Sequence, residues 1–377
     1  MAGDAKRLRF RAAVLAAPNQ KLRIETVEAD PPQTGEVLVK LGAAGLCHTD
    51  LEVIQGQLVY PTPIVLGHEA AGTIAAVGGG VDPGRVGERV VLSWNPHCGR
   101  CFYCERGRPI LCETYVAQGP AAVAFDGTTR LSLGGQPVHT MMHIAAFAEY
   151  AIVTAACAVP IPAAMPLDRA CLLGCGVLTG VGAATRIARL RYGDTAMVIG
   201  CGAVGLSAVQ GARLAGASRI VAVDLDEPKL ALARTVGATD TVNARLDNAA
   251  AVVRALTGGR GADCVLEAAG NEASFRLSVE ACRAGGEIVW LGKVGVNEAV
   301  SFRWGSLMGE KRITRSSYGG ARTATDFPLL AESYLRGALK LDELISQRIA
   351  LDEINRGFDD LRAGRAIRSV IVFGDAA

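Results

Sequence analysis

Four cysteines fall within fifteen residues in the run "CGRCFYCERGRPILC". Cys98, Cys101, Cys104 and Cys112 are spaced C-x2-C-x2-C-x7-C, which lets four thiolates converge on one tetrahedral ion and suits disulfides poorly, since such close neighbours pair only with strain. Four sulfurs leave a zinc ion no open coordination position. Such a site is structural, and the chemistry must lie elsewhere.

Three further potential ligands stand apart in the chain: Cys47 in "GLCHTD", His68 in "LGHEAAG" and Cys175 in "LLGCGVLTG". Two thiolates and an imidazole leave one position on zinc for water or substrate, the arrangement of a catalytic site. A lone cysteine is ordinarily a small core residue and a lone histidine a hydrogen-bonded one, so the joint context carries the reading.

A third motif addresses a dinucleotide. "MVIGCGAVGLSAVQG" holds Gly200, Gly202 and Gly205 in the order G-x-G-x-x-G, after a strand signal and at the start of a helix signal. Small residues there let the backbone approach a pyrophosphate, whose charge the free amides of the helix N-terminus hold. The next strand signal ends in "IVAVD", placing Asp224 24 residues after Gly200. A carboxylate at that point accepts both ribose hydroxyls and repels a 2′-phosphate, so the expected cofactor is NAD rather than NADP.

These residues need elements to position them. Up to about residue 175 the chain is rich in Gly and Pro with short β-type runs such as "GEVLVKLGAAG" and "GERVVLSW", the pattern of an antiparallel all-β domain. Beyond "TGVGAATRIARLRYGD" strand and helix signals alternate: "TAMVIG" with "AVGLSAVQGARLAG", "RIVAVD" with "EPKLALARTVG", then "DTVN", "AAAVVRALTG", "DCVLEAAG", "EASFRLSVEACRAG" and "EIVWLG". That alternation predicts an α/β domain, a parallel sheet with helices on both faces. The tail from about 320 falls outside the repeat and is expected to return to the first domain. The resulting division is 1–177 with 321–377, carrying the cysteine lobe at 95–113, and 178–320.

Composition narrows the partners. With 377 residues, half of them hydrophobic, the chain can bury a large core and is expected to form two domains. A net charge of +2 gives no overall field toward nucleic acid or an anionic membrane, leaving a small molecule as the expected partner. The start "MAGDAKRLRFRAAVLAAP" has too short an apolar core for a signal peptide and reads as a loose leader into a first strand. Pro160 and Pro162 break the Ala-rich run near them, and no apolar stretch approaches the roughly 20 residues of a membrane helix. Eleven cysteines without a secretory signal point to thiolate ligands and free thiols, hence to a soluble, cytoplasmic protein.

Taken together, the motif Gly67-His68-Glu69, the four-cysteine lobe and the glycine fingerprint occur in one order and spacing that resembles the zinc-dependent medium-chain alcohol dehydrogenases, nearly end to end. The resemblance implies a GroES-like first domain, a Rossmann second domain, an active site in the cleft between them, two zinc ions per chain and a homodimer. It implies that Asp50 orients His68, that Glu69 sits behind the catalytic zinc, and that Thr49 takes the proton of the alcohol. It also places Thr179 near the nicotinamide, Val204 in the glycine turn, Lys229 near the adenosine ribose, and His48 and Arg368 near the pyrophosphate.

Two departures bear on substrate. Glu52 stands where many relatives carry a histidine that passes the proton to solvent. Tyr115 stands where the glutathione-dependent formaldehyde dehydrogenases carry an arginine for the adduct's carboxylate. With Trp94, Met141, Met142 and Tyr318 as apolar pocket candidates, the reading is NAD-linked oxidation of a hydrophobic primary alcohol, reversible to aldehyde reduction. Core packing is an equal alternative for the two methionines. The rival activities are a thiol-dependent formaldehyde dehydrogenase and a non-enzymatic NAD-binding or redox-sensing protein.

Overall fold

The computed structural model describes residues 7–295 and 297–374. Most of the expected N-terminal leader lies outside them. The chain divides into two compact units, one of residues 1–175, 322–337 and 345–377, the other of residues 176–321 and 338–344.

The first unit is mainly β. Strands Leu8–Leu15, Arg23–Ala29, Leu131–Leu133, Gln136–Thr140 and Ile64–Val65 close a barrel. A second sheet is centred on Glu36–Gly45, which pairs antiparallel with Glu69–Val77, Tyr150–Thr154 and, from the tail, Ser369–Val372. The return of the tail is as expected. Both faces of Glu36–Gly45 are covered at its end, where Ala43, Ala44 and Gly45 are all buried, and small residues are what that crowding allows. A Cβ on Gly45 would come within 2.4 Å of the Glu69 carboxylate, so glycine leaves the space Glu69 occupies.

The second unit is a six-stranded parallel sheet. Its order is Asp240–Asn243, Arg219–Asp224, Thr195–Ile199, Ala262–Glu267, Cys282–Trp290, Arg312–Arg315, which is 3-2-1-4-5-6 in chain sequence. That is the doubly wound arrangement, with its reversal point between the first and fourth strands. Five strands match the alternation in the sequence; the sixth, Arg312–Arg315, does not, because no helix signal precedes it and its residues are largely exposed. Met197, Ile199, Val221, Val223, Val265 and Ile288 form the core that seats the sheet.

Three boundaries differ from the sequence reading: the first unit ends at Cys175, Ala321 belongs to the second unit, and so do residues 338–344. The reason is local: Gln210 accepts from the Lys340 amide at 2.7 Å and donates to its carbonyl at 2.9 Å, while Lys340 Nζ reaches the Thr235 carbonyl at 2.8 Å. One helical run, Leu167–Ile187, is also longer and more apolar than expected, with 21 residues and a mean hydropathy of 1.5, enough to cross a membrane by length and composition. Since 72% of that window is buried within the protein, it is a core helix. It is interrupted by π turns at Leu173–Val177 and Ala183–Ile187.

Candidate zinc and dinucleotide sites

Asp50 organises the first site. Cys47 precedes the short helix His48–Ile54, and Asp50 in its first turn reaches back to the Cys47 amide at 3.0 Å. The other oxygen accepts from the Gly67 amide and meets His68 Nδ1, each at 3.1 Å. One fully buried carboxylate thus fixes the backbone of one ligand residue and the ring of another. Gly67 holds φ +94°, and a Cβ there would lie 2.7 Å from the Phe147 ring, so the glycine before His68 meets a steric need. Cys175 sits within the π turn Leu173–Val177, an irregularity frequent at functional sites because it re-aims a side chain.

The ligand atoms of Cys47, His68, Glu69 and Cys175 lie within 4.8 Å of one another. His68 Nε2 is buried without a hydrogen-bond partner. Burial opposes protonation of this ring, yet the charges of Asp50 and Cys47 overcome it and raise its pKa well above the usual value. The Cys47 thiol is held well below its usual pKa by a hydrogen bond from Cys175, while donating that bond pushes Cys175 well above. A buried nest of one orphaned imidazole nitrogen and two sulfurs sharing a proton fits a divalent cation with soft preferences, as zinc has.

Glu69 lies behind these groups. Burial pushes its carboxyl up to about 7 against the pull of Arg368. Arg368, expected beside the pyrophosphate, is 3% exposed and donates to Glu69 Oε1 and to the Leu46 carbonyl, each at 2.9 Å. It is neither a solvated charge nor free of other duties. The sequence did not signal this pairing, because the two residues are 299 positions apart.

The lobe cysteines also converge, their sulfurs within 4.8 Å of one another. The Cys98 thiol is held down to about 6, chiefly by the Arg100 amide, and Cys101 is lowered chiefly by the Cys104 amide. Burial and a hydrogen bond to Cys101 push Cys104 up to about 12. The Cys98 amide donates to Cys112 Sγ at 3.3 Å. Amides aimed at sulfur stabilise thiolates, which is what a four-cysteine zinc site requires.

In the second unit the fingerprint glycines divide their work. Gly200 has φ +89°, and a Cβ on Gly205 would lie 1.7 Å from the Gly200 carbonyl, so both serve the tight turn. A Cβ on Gly202 would meet nothing within 4 Å, so its bareness leaves open space at the N-terminus of the helix Ala203–Leu214. Asp224 is fixed at the end of its strand by the amides of Cys201 (2.6 Å), Leu225 (2.7 Å) and Asp226 (3.0 Å). This cradle fits a dinucleotide.

The remaining expected residues take varied positions. Thr49 and Glu52 are half-buried on the helix after Cys47, and His48 is exposed. Thr179 and Val204 are half-buried, and Lys229 pairs with Asp226 at 4.0 Å. Trp94 is half-buried, its ring 6.2 Å from that of Tyr115, and Met142 is half-buried against the same core. Met141 is fully enclosed in that core, and Tyr318 is 2% exposed with φ +51°. For Met141 core packing describes the position, since a side chain without exposed surface has none to give a ligand. The His143 ring lies tilted against those of Tyr115 and Phe125, a contact that no spacing in the sequence marks.

Fold and sites together define a zinc-binding, nicotinamide-dependent oxidoreductase. Comparison with known proteins agrees: residues 33–163 match the alcohol dehydrogenase GroES-like domain and residues 203–333 the zinc-binding dehydrogenase domain. The chain belongs to the zinc-dependent medium-chain alcohol dehydrogenase family. A zinc-binding domain alcohol dehydrogenase from Burkholderia ambifaria is 34% identical over 98% of this chain and 100% of its own, with a TM-score of 0.94. Benzyl alcohol dehydrogenase from Acinetobacter calcoaceticus is 32% identical over 97% and 100%, with a TM-score of 0.92. A zinc-binding dehydrogenase from Sinorhizobium meliloti bound to NADP is 27% identical over 97% and 100%, with a TM-score of 0.79.

Proposed function

We propose that this chain is an NAD-dependent alcohol dehydrogenase that interconverts a hydrophobic primary alcohol and its aldehyde, aromatic alcohols foremost. The observation that carries the reading is the set of three ligands, Cys47, His68 and Cys175, with Tyr115, which feels the charge of Cys175, standing where a thiol-adduct enzyme carries a cation. Burial pushes the Tyr115 phenol well above its usual pKa, so it offers no charge to the carboxylate of a thiol adduct. The likeness to benzyl alcohol dehydrogenase supports the same substrate class.

Held by Cys47, His68 and Cys175, a zinc ion would supply the Lewis acidity that lowers the pKa of an alcohol hydroxyl, and NAD would supply the hydride acceptor. The chain does the rest. Thr49 takes the hydroxyl proton and Glu52, one turn on, passes it toward solvent. Asp50 keeps His68 in the tautomer that presents Nε2. Arg368 holds Glu69, a task it has beside its expected place near the pyrophosphate. His48, Thr179, Val204 and Lys229 serve the dinucleotide, and Asp224 selects NAD even though a relative binds NADP. The lobe holds a second, structural zinc. The edge strand Arg312–Arg315, with Trp304 81% and Met308 69% exposed nearby, supports pairing with a second copy as a homodimer. Eleven cysteines with no disulfide among them support a reducing compartment, the cytoplasm.

A series of primary alcohols tests the reading. Each methylene buried contributes about 0.8 kcal/mol, roughly fourfold in kcat/KM, so efficiency climbs from ethanol toward longer, allylic and benzylic alcohols until the pocket is filled. A flat series, or one falling from ethanol, contradicts it.

A further inference from the structure

A cation stands beside Asp224 that the dinucleotide site has not used. The strand Asp240–Asn243 pairs with Arg219–Asp224 so that Asn243 lies opposite Asp224. Just past that pairing the chain turns: the Ala244 amide donates to the Asp224 carbonyl at 3.0 Å, and the Arg245 amide donates to Asn243 Oδ1 at 3.1 Å. Arg245 then reaches back, its Nε donating to the Leu225 carbonyl at 3.1 Å. Backbone and side chain together tie this guanidinium to the residue that follows Asp224.

The bond to Leu225 uses only one edge of the guanidinium. Its two terminal nitrogens meet no acceptor among the described residues, and both Arg245 and Leu246 are exposed, so a ligand can reach them. Two parallel N–H groups on a fixed plane are the fork that suits a phosphate. Other charges at this strand end are already paired, Lys229 with Asp226 at 4.0 Å and Glu227 with Arg234 at 3.3 Å. The balance therefore rests on Arg245 against Asp224.

Asp224 is a weaker barrier than its charge alone implies. Its oxygens already accept from the amides of Cys201, Leu225 and Asp226, which take three of the about four acceptor positions a carboxylate offers. The position left over suffices for the 3′-hydroxyl of the adenosine ribose, which NAD and NADP share. At this half-exposed strand end solvent screens the repulsion of a 2′-phosphate, whereas a bidentate bond from arginine is set by geometry.

We propose that Arg245 makes NADP a second cofactor of this enzyme, its terminal nitrogens binding the 2′-phosphate while Asp224 keeps the 3′-hydroxyl. The inference rests on the reading of the chain as a nicotinamide-linked dehydrogenase with Asp224 at the adenosine ribose. NAD stays the better cofactor, because only the 2′-phosphate meets the Asp224 charge. The redox step is the same with either: the alcohol gives up a hydride and a proton, yielding aldehyde and the reduced cofactor.

Two nucleotides that differ only in the 2′-phosphate, AMP and adenosine 2′,5′-bisphosphate, are titrated calorimetrically into the zinc-loaded enzyme, with Arg245→Gln and Arg245→Lys in parallel. The bisphosphate is expected to bind the parent with a Kd within about tenfold of that for AMP. Arg245→Gln weakens the bisphosphate by about tenfold or more and leaves AMP within about twofold, while Arg245→Lys, which keeps the charge and loses the fork, falls between. Oxidation of benzyl alcohol with NADP follows the same order. Arg245 is exposed, so the variants are expected to fold, and thermal unfolding checks that they do. If the parent binds AMP and not the bisphosphate, or if the bisphosphate binds folded Arg245→Gln as tightly as the parent, the role of Arg245 is overturned while NAD-linked oxidation stands. If neither nucleotide binds, the dinucleotide reading falls with it.

Discussion

Asp50 makes three hydrogen bonds from a fully buried position, to the Cys47 amide, the Gly67 amide and the His68 ring. Asp50→Asn presents an amide N–H where one of these donors needs an acceptor, so affinity for the catalytic zinc is expected to fall about 10- to 100-fold with activity alongside. Metal analysis checks this: the variant keeps the lobe's ion and loses the other. At Asp224 the issue is charge. Asp224→Gly with Leu225→Arg removes the ribose acceptor and adds a partner for a 2′-phosphate, so the ratio of kcat/KM for NAD over NADP is expected to drop by about 100-fold or more. An unchanged ratio removes Asp224 from cofactor selection. Both residues were legible in the sequence because each stands at a fixed offset from a motif. The pairing of Arg368 with Glu69 was not, since the two residues lie 299 positions apart.

At the scale of elements, the fingerprint turn gives a contrast between two glycines three residues apart. Gly205→Ala drives a Cβ to 1.7 Å from the Gly200 carbonyl, so the turn must open; thermal unfolding is expected to fall along with dinucleotide affinity. Gly202→Ala meets no protein atom within 4 Å, so unfolding is expected to stay within about 1 kcal/mol of the parent while NAD affinity falls by tenfold or more, since the methyl fills the space left for the pyrophosphate. Equal thermal loss in both would contradict this division of roles. Five of the six sheet strands could be read from their alternation with helix signals, and inner strands such as Thr195–Ile199 and Arg219–Asp224 also show the apolar runs of strands buried on both faces, which the edge strand Asp240–Asn243 does not. Arg312–Arg315 lacks that signature as an edge strand. The π turns within Leu167–Ile187 were not expected from the sequence either, although the first carries Gly174 and Gly176 on either side of Cys175.

For the whole molecule, the chain is expected to carry two zinc ions with separable roles. Cys101→Ala leaves three lobe thiolates with an incomplete site, so zinc content is expected to fall from two toward one per chain and stability to fall first, activity following only as the protein unfolds. A fully stable variant with one zinc would remove the structural role of the lobe. The division into two units was legible from the change of texture near residue 175, whereas the transfer of residues 338–344 to the second unit was not, because it rests on contacts of Gln210 and Thr235 with Lys340. An NAD-linked alcohol dehydrogenase is tested by NADH formation from the zinc-loaded enzyme with benzyl alcohol, set beside formaldehyde with glutathione. A rate with benzyl alcohol and NAD well above both ethanol and the thiol-dependent formaldehyde reaction is the expected result. A thiol-dependent formaldehyde rate exceeding every alcohol, or no turnover of any alcohol with NAD, would contradict it.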